Sequence, residues 1–187
     1  QRYVRKVYDG DTIILEDGKH IRLLGVNTPE IESRQRAEEP GGVAAKKWLQ
    51  AQLQDKKVYL EYDEVKFDKY KRQLAHVFLS NGKHLNLALL ENGLGTVSII
   101  PPNVRYSDKL TQAQQHAEKM QLGIWAMPEY QLKPIAQIAN HAKGWQRFNA
   151  TFHTIKKNRK YTRLLINDKI DIRISNQNLK AFPPLSK

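Results

Sequence analysis

Two short stretches near the start of the chain carry the residues best suited to chemistry: Asp9-Gly10-Asp11-Thr12, and Arg22-Leu23-Leu24-Gly25-Val26-Asn27-Thr28-Pro29-Glu30. Asp11, the amide oxygen of Asn27 and the backbone carbonyl of Thr28 are hard oxygen donors, of the kind that Ca²⁺ or Mg²⁺ takes. Arg22 offers a guanidinium, whose planar fork matches a phosphate, and Glu30 offers a spare carboxylate. Together they suit a metal-dependent phosphodiesterase. Each alone also has a simple structural reading. Asp9-Gly10 is a turn dipeptide, Arg22 could be a strand residue snorkelling to solvent, and Pro29-Glu30 could be a loop exit. Their order and spacing, and a further stretch at Asp68-Lys69-Tyr70-Lys71-Arg72, favour a site.

The elements that must hold these residues can be read from turn signals and periodicity. Strand-like runs at 4–8, 12–16 and 20–26 surround the first motif, the last two joined by Asp17-Gly18. The polar stretch 31–42 is a loop beside the site. Val43, Ala44, Trp48, Leu49 and Leu53 recur at helical spacing, with Trp48 read as a core residue. Strands are expected at 58–62 and 74–79, a last barrel strand near 94–98, a tight turn at Asn81-Gly82, and a short helix at 86–91 stopped by Asn92-Gly93. A further helix at 108–120 presents Leu110, Ala113, Ala117 and Met120 on one face, and Trp125 should pin it to the barrel.

Four ordered motifs resemble the staphylococcal nuclease family, which is characterised by D-G-D-T, R-L-L-x-V-D-T-P-E, D-K-Y-G-R and a helix ending in L-x-I-W. Here they stand as Asp9 to Thr12, Arg22 to Glu30, Asp68 to Arg72, and Leu122-Gly123-Ile124-Trp125. The resemblance covers about residues 2–127 and implies a mainly β, α+β fold: a five-stranded OB-fold barrel with three helices. It also implies Ca²⁺-dependent hydrolysis of DNA and RNA by metal-activated water, single strands favoured, leaving 3′-phosphate ends. In those terms Asp11, Asn27 and Thr28 hold the ion, and Asp9 stands behind them. Arg22 and Arg72 donate to the phosphate from two sides, Arg72 also assisting the departing 5′ oxygen. Glu30 positions the attacking water, as its base or only as its anchor, and Lys69 and Tyr70 touch the nucleic acid. The sequence departs from the family pattern twice. Asn27 replaces an aspartate and removes one ligand charge, and Ile99-Ile100-Pro101 replaces a segment whose tyrosines stack on a terminal nucleotide. The competing reading is a non-catalytic nucleic-acid-binding module of the same fold. Retention of Asp11, Arg22, Glu30 and Arg72 speaks for catalysis.

The 187 residues carry 31 basic and 19 acidic side chains, a net +12 that points to a polyanionic partner, most plausibly nucleic acid. The excess is uneven: residues 129–187 hold 12 Lys and Arg against 3 Asp and Glu, leaving 19 against 16 before them. With no cysteine there is no disulfide and no thiolate site, and no run is apolar enough to span a membrane. His20, His76, His84 and His116 lack ligand spacing for zinc. Members of the family are often exported into Ca²⁺-rich surroundings, so a secreted or periplasmic setting is expected. The expected organisation is a barrel domain at 1–128, a linker at 129–143 and a small basic β-rich domain at 144–187, similar to half of an OB barrel. In that last part Phe148, Ala150 and Phe152, then Thr162, Leu164 and Ile166, then Ile170, Ile172 and Ile174 alternate as strands do. A short helix is expected at 135–142, and turn signals sit at Lys157-Asn158 and Asn167-Asp168. Lys156, Lys157, Arg159, Lys160, Tyr161 and Arg163 cluster at its first turn and suit either a single-strand backbone tracker or a solvated hairpin tip.

Overall fold

The computed structural model describes residues 1–33, 37–53, 56–138, 147–166 and 170–181, and the chain divides into two units, Gln1–Glu129 and Tyr130–Lys187. In the first unit, strands β1 (Arg2–Val7), β2 (Thr12–Leu15), β3 (His20–Leu23), β5 (Lys57–Glu61) and β6 (Gln73–Leu79) close a barrel in the order β1-β2-β3-β6-β5. All neighbours are antiparallel except β3 and β6, which run parallel. The barrel interior is aliphatic, filled by residues such as Ile13, Leu15, Ile21, Leu23, Val58 and Val77, each no more than 1% exposed. Burying one such side chain contributes about 1.5–3 kcal/mol, so this layer dominates the stability of the unit.

The run read as one strand over 20–26 is two. It breaks at Leu24, whose N–H donates to the Ala75 carbonyl, and at Gly25, where φ is +74°. A Cβ at Gly25 would lie 2.4 Å from Leu110 Cδ1, so the bend needs glycine for both its backbone and its space. The bend sends β4 (Gly25–Asn27) out of the barrel to pair with β7 (Thr96–Ser98), so the run expected as the last barrel strand lies outside the barrel, and that excursion brings Asn27 and Thr28 to the barrel's mouth. Buried Asn86 ties the corner: its side chain donates to the carbonyls of Leu24 and Ala75 and accepts from the Val77 N–H.

Three helices cover the barrel: α1 (Gly42–Leu53), α2 (Leu85–Glu91) and α3 (Ser107–Lys119). The buried row of α1 is Ala45, Leu49 and Leu53, at i, i+4 spacing, whereas Val43 and Ala44 face solvent. Trp48 packs at the edge of the core, with the Lys83 ammonium 5.3 Å above its ring. On α3, Leu110, Ala113 and Ala117 are buried, but Met120, just past the helix end, is 56% exposed and contributes nothing to that face. Trp125 is buried. His76 and His84 lack ligand spacing, yet β6 and the start of α2 bring their ring nitrogens to 3.2 Å. Burial holds each imidazole's pKa down at about 4, so both are neutral across most of the pH range.

The second unit contains a three-stranded antiparallel sheet, β10-β9-β8, from β8 (Thr154–Lys157), β9 (Tyr161–Leu165) and β10 (Asp171–Ser175). The alternation at Phe148, Ala150 and Phe152 does not form a strand. Pairing with β9 begins only at His153, whose N–H donates to Leu165, while Phe148 makes an isolated bridge to Lys133. Asn158 makes the β8–β9 turn, its side-chain oxygen accepting from the N–H groups of Lys160 and Tyr161. The short helix α4 covers Ile135–Ile138; the remainder of the expected 135–142 helix and the Asn167-Asp168 turn lie outside the described residues. No helix among the described residues is long and apolar enough to cross a membrane.

Candidate active site

The β1–β2 turn, the β3–β4 corner and the 68–72 turn converge on an open cleft of about 540 Å³. It is lined by Tyr8, Asp9, Asp11, Thr12, His20, Arg22, Asn27, Glu30, Tyr70 and Arg72. Seven of the nine barrel residues singled out by sequence line this cleft; Thr28 and Lys69 do not. The seven come from three separate stretches. Asp11 is brought there by a turn that tolerates only glycine before it: a Cβ at Gly10 would sit 2.6 Å from Thr28 Oγ1 and 2.7 Å from Ala45 Cβ.

Asp11 is 5% exposed and fully committed. Its Oδ2 accepts from the Thr28 N–H (2.8 Å), the Thr28 hydroxyl (3.1 Å) and Arg22 Nη2 (3.0 Å), and its Oδ1 from the Thr12 hydroxyl (3.2 Å). Burial pushes the Asp11 carboxyl up to about 6. Arg22 and the two Thr28 bonds work against that rise, and neighbouring Asp9 adds to it. Asp9 Oδ1 accepts the Asp11 N–H at 3.0 Å. Thr28 was expected to offer its carbonyl; what the structure adds is that its N–H and hydroxyl hold Asp11 in place.

Register explains the position of Arg22. It pairs with Thr12 on β2 and with Leu74 on β6, so its side chain emerges between the two motif-bearing segments. Nη1 donates to the carbonyls of Leu23 (3.0 Å) and Val26 (2.8 Å), and Nη2 is shared between Asp11 and Asn27 Oδ1 (3.0 Å each). The guanidinium therefore spans two of the three expected ligands. The donor set expected for an ion is one carboxylate, one amide oxygen and one backbone carbonyl. All are hard oxygens that fit Ca²⁺ by type, with few formal charges. Among the described residues no three His, Cys, Asp or Glu side chains converge as a metal group.

Arg72 is held differently. Asp68 caps its own turn by accepting the Tyr70 and Arg72 N–H groups (2.9 Å each) with Oδ1, and it takes Arg72 Nε at 2.7 Å with Oδ2. Burial alone would raise the Asp68 carboxyl, but the Arg72 and Tyr70 bonds outweigh it and hold the pKa below the usual carboxylate range. Among the described residues the terminal nitrogens of Arg72 have no hydrogen-bond partner, and the guanidinium lies 5.4 Å from the Tyr70 ring centre. Tyr70 is 67% exposed, and Lys69, also exposed, lays its ammonium 4.9 Å over the same ring instead of lining the cleft. Lys71 holds φ +64° at the position where the family motif has glycine.

Glu30 lies on the loop after β4, which is clasped by Glu39. The Glu30 N–H donates to Glu39 Oε2, and the Glu39 N–H donates back to the Glu30 carbonyl. Sequence reasoning missed Tyr8 and His20, which carry no motif and reach the cleft only because β1, β2 and β3 are adjacent, and it missed Asp68 as the holder of Arg72. The i, i+4 spacing of Asp68 and Arg72 was the available signal. A second hollow of about 390 Å³ shares Arg22, Asn27 and Arg72 with the cleft. Ile100, Pro101 and Pro102 line it together with exposed Phe67, so the segment without tyrosines does border the site. The basic hairpin residues of the second unit divide by face: Lys156 and Lys157 are successive strand residues, and Arg159 and Lys160 occupy the turn.

The family model for Staphylococcal nuclease homologue matches residues 20–127. The chain is 42% identical over 125 residues to a thermonuclease of Staphylococcus intermedius, covering 65% of this chain and 74% of that protein. It is 39% identical over 127 residues to a thermonuclease of Staphylococcus hyicus, covering 66% and 74%. Against the endonuclease YncB of Bacillus subtilis (strain 168) it is 35% identical over 130 residues, covering 67% and 61%. With the closed five-stranded barrel and its three helices in place, the chain belongs to the staphylococcal nuclease family.

Proposed function

We propose that this protein is a Ca²⁺-dependent nuclease that hydrolyses phosphodiester bonds of DNA or RNA, favours single strands and leaves 3′-phosphate ends. The observation that carries the reading is the convergence of Asp11, Arg22, Glu30 and Arg72 on one solvent-open cleft, with each arginine fixed by its own carboxylate. The thermonuclease and endonuclease relatives support it. Hydrolysis requires water in line with the leaving oxygen and donors for the charge that grows on the phosphate. Asp11, Asn27 and the Thr28 carbonyl would hold Ca²⁺, which when bound supplies positive charge to the phosphate and an acidified water. Glu30 orients the attacking water, as base or as anchor. Arg72 is the donor with capacity to spare, since among the described residues only its Nε is hydrogen-bonded. Arg22 fixes Asp11 and Asn27 and gives an N–H to the phosphate when substrate displaces one of those contacts. Exposed Tyr70 and Lys69 contact the strand beside the cleft. A Ca²⁺ requirement of this kind suits a secreted or periplasmic setting.

The non-catalytic reading would sit better with this charged set dispersed; its convergence on one cleft supports catalysis instead. Incubation with end-labelled single-stranded DNA, in millimolar Ca²⁺ or in EDTA, tests the proposal. Cleavage is expected only with Ca²⁺; intact DNA in Ca²⁺ at alkaline pH would overturn it.

A further inference from the structure

The second unit carries most of the net charge, and its sheet sorts that charge onto one face. Cross-strand register places Lys156 opposite Arg163 and Arg163 opposite Arg173, a basic row across all three strands. Tyr161 lies two residues from Arg163 on the same face and is 43% exposed. The alternate residues Thr162, Leu164 and Ile174 are buried on the other face, so the two faces are distinct. Lys157, which pairs with buried Thr162, belongs to that other face and leaves the basic row; Arg173, which sequence clustering did not include, joins it. Among the described residues a single carboxylate interrupts the row. Asp171 Oδ2 takes Arg163 Nε at 2.5 Å and Arg173 Nε at 3.2 Å, and this holds both guanidinium planes in place. Strands stand about 4.8 Å apart, so the row spans about 10 Å. Arg159 and Lys160 extend the charge beyond it at the β8–β9 turn.

We infer that this face is a binding surface for single-stranded nucleic acid, built by Lys156, Arg163, Arg173 and Tyr161 and separate from the cleft residues. The charge row neutralises successive phosphates. The exposed tyrosine gives an unpaired base a ring to stack on, which a duplex cannot use. Its ligand class rests on the nuclease reading, but its residues do not.

The test uses the full chain and a fluorescent oligothymidylate in EDTA, where no cleavage intervenes, with binding measured from 50 to 200 mM salt. Each lost phosphate contact flattens the log–log salt slope by about 0.7 on single strands. Lys156→Gln with Arg173→Gln should therefore flatten it by about 1.4, while Lys156→Arg with Arg173→Lys should preserve it. Tyr161→Leu should weaken binding about tenfold, and Tyr161→Phe should not. In Ca²⁺, turnover at saturating substrate should stay at the wild-type value for all four variants. An unchanged slope in the Gln pair, with the melting transition intact, overturns the surface. Equal losses on duplex and single strand overturn the single-strand assignment. Loss of binding in the Arg/Lys pair as well would show that the substitutions act through the fold. Failure of the Ca²⁺ arm in the wild type would instead count against the nuclease reading and leave the binding result standing.

Discussion

Arg22 and Arg72 look equivalent in the sequence, one basic residue in each motif, but the structure gives them different work. The Arg22 side chain is 15% exposed and four acceptors hold it: two carbonyls, Asn27 and a carboxylate that is itself 7% exposed. The Arg72 side chain is 30% exposed and gives one nitrogen to Asp68, leaving its outer nitrogens toward the cleft. The first is a corner brace that also faces substrate. The second is a donor presented on a short turn. A buried guanidinium that satisfies backbone carbonyls contributes to the fold whatever else it does, whereas a half-exposed one in a surface turn contributes little.

Removing each in turn gives the largest effects. Arg22→Ala should lower both rate and stability. It takes the guanidinium counter-charge from the buried Asp11 carboxylate and a donor from each of two carbonyls, costing about 3–5 kcal/mol, and calorimetry should show a large fall in the melting temperature of the first unit. Arg72→Ala should lower kcat by about 10²–10³ while stability changes by less than about 1 kcal/mol, because Asp68 keeps its two backbone partners. If both variants lose rate alone, or both lose stability alone, the distinction between them is wrong.

Acid probes His76 and His84, over a window in which Asp11, held by Arg22 and raised to about 6, also takes up a proton and works against their slope. The folded pKa of His76 and His84, about 4, lies below the unfolded value of 6.5. Between those pH values the unfolded chain takes up protons that the folded chain refuses. Stability is thus whole above 6.5 and falls as pH drops toward 4, by on the order of 2 kcal/mol once partial exposure is discounted. His84→Phe, which keeps the stack on Phe78, should remove much of that slope in a melting-temperature series.

The Arg22 corner also sets the effect of Asn27. Asn27→Asp adds a charge where Arg22 Nη2 already donates, and it should lower the Ca²⁺ concentration for half-maximal activity about tenfold with the fold unchanged. An unchanged Ca²⁺ titration would remove Asn27 from the ligand set. Smallest of all, Lys71→Gly should relieve the φ +64° strain of the Arg72 turn and stabilise by about 1 kcal/mol, with kcat within about twofold of wild type. A loss of stability would mean that the Lys71 side chain contributes contacts of its own.

Much of the cleft was legible because its residues sit in contiguous motifs whose spacing survives any packing. The barrel strands and helices were legible for the same reason: alternation and helical period are local properties. What escaped depends on register and tertiary contact. The break at Gly25 is dictated by Leu110, far along the chain, and nothing within 20–26 announces it. Val43 reads as a core residue on periodicity, but the i, i+4 row through Ala45 turns it outward. The bracing of Asp11 by Thr28 and Arg22 needs three segments at once. In the second unit, Lys156 and Lys157 are indistinguishable until their pairing partners assign them to opposite faces.

The most direct test of the central claim is a single-turnover measurement on 5′-labelled single-stranded DNA, comparing wild type with Arg72→Ala in saturating Ca²⁺ and in EDTA. A Ca²⁺-dependent cleavage step is predicted, slowed about 10²–10³ in the variant with substrate affinity nearly unchanged. Equal cleavage rates for the two proteins, or a variant that loses affinity but cleaves at the wild-type rate once bound, would contradict it.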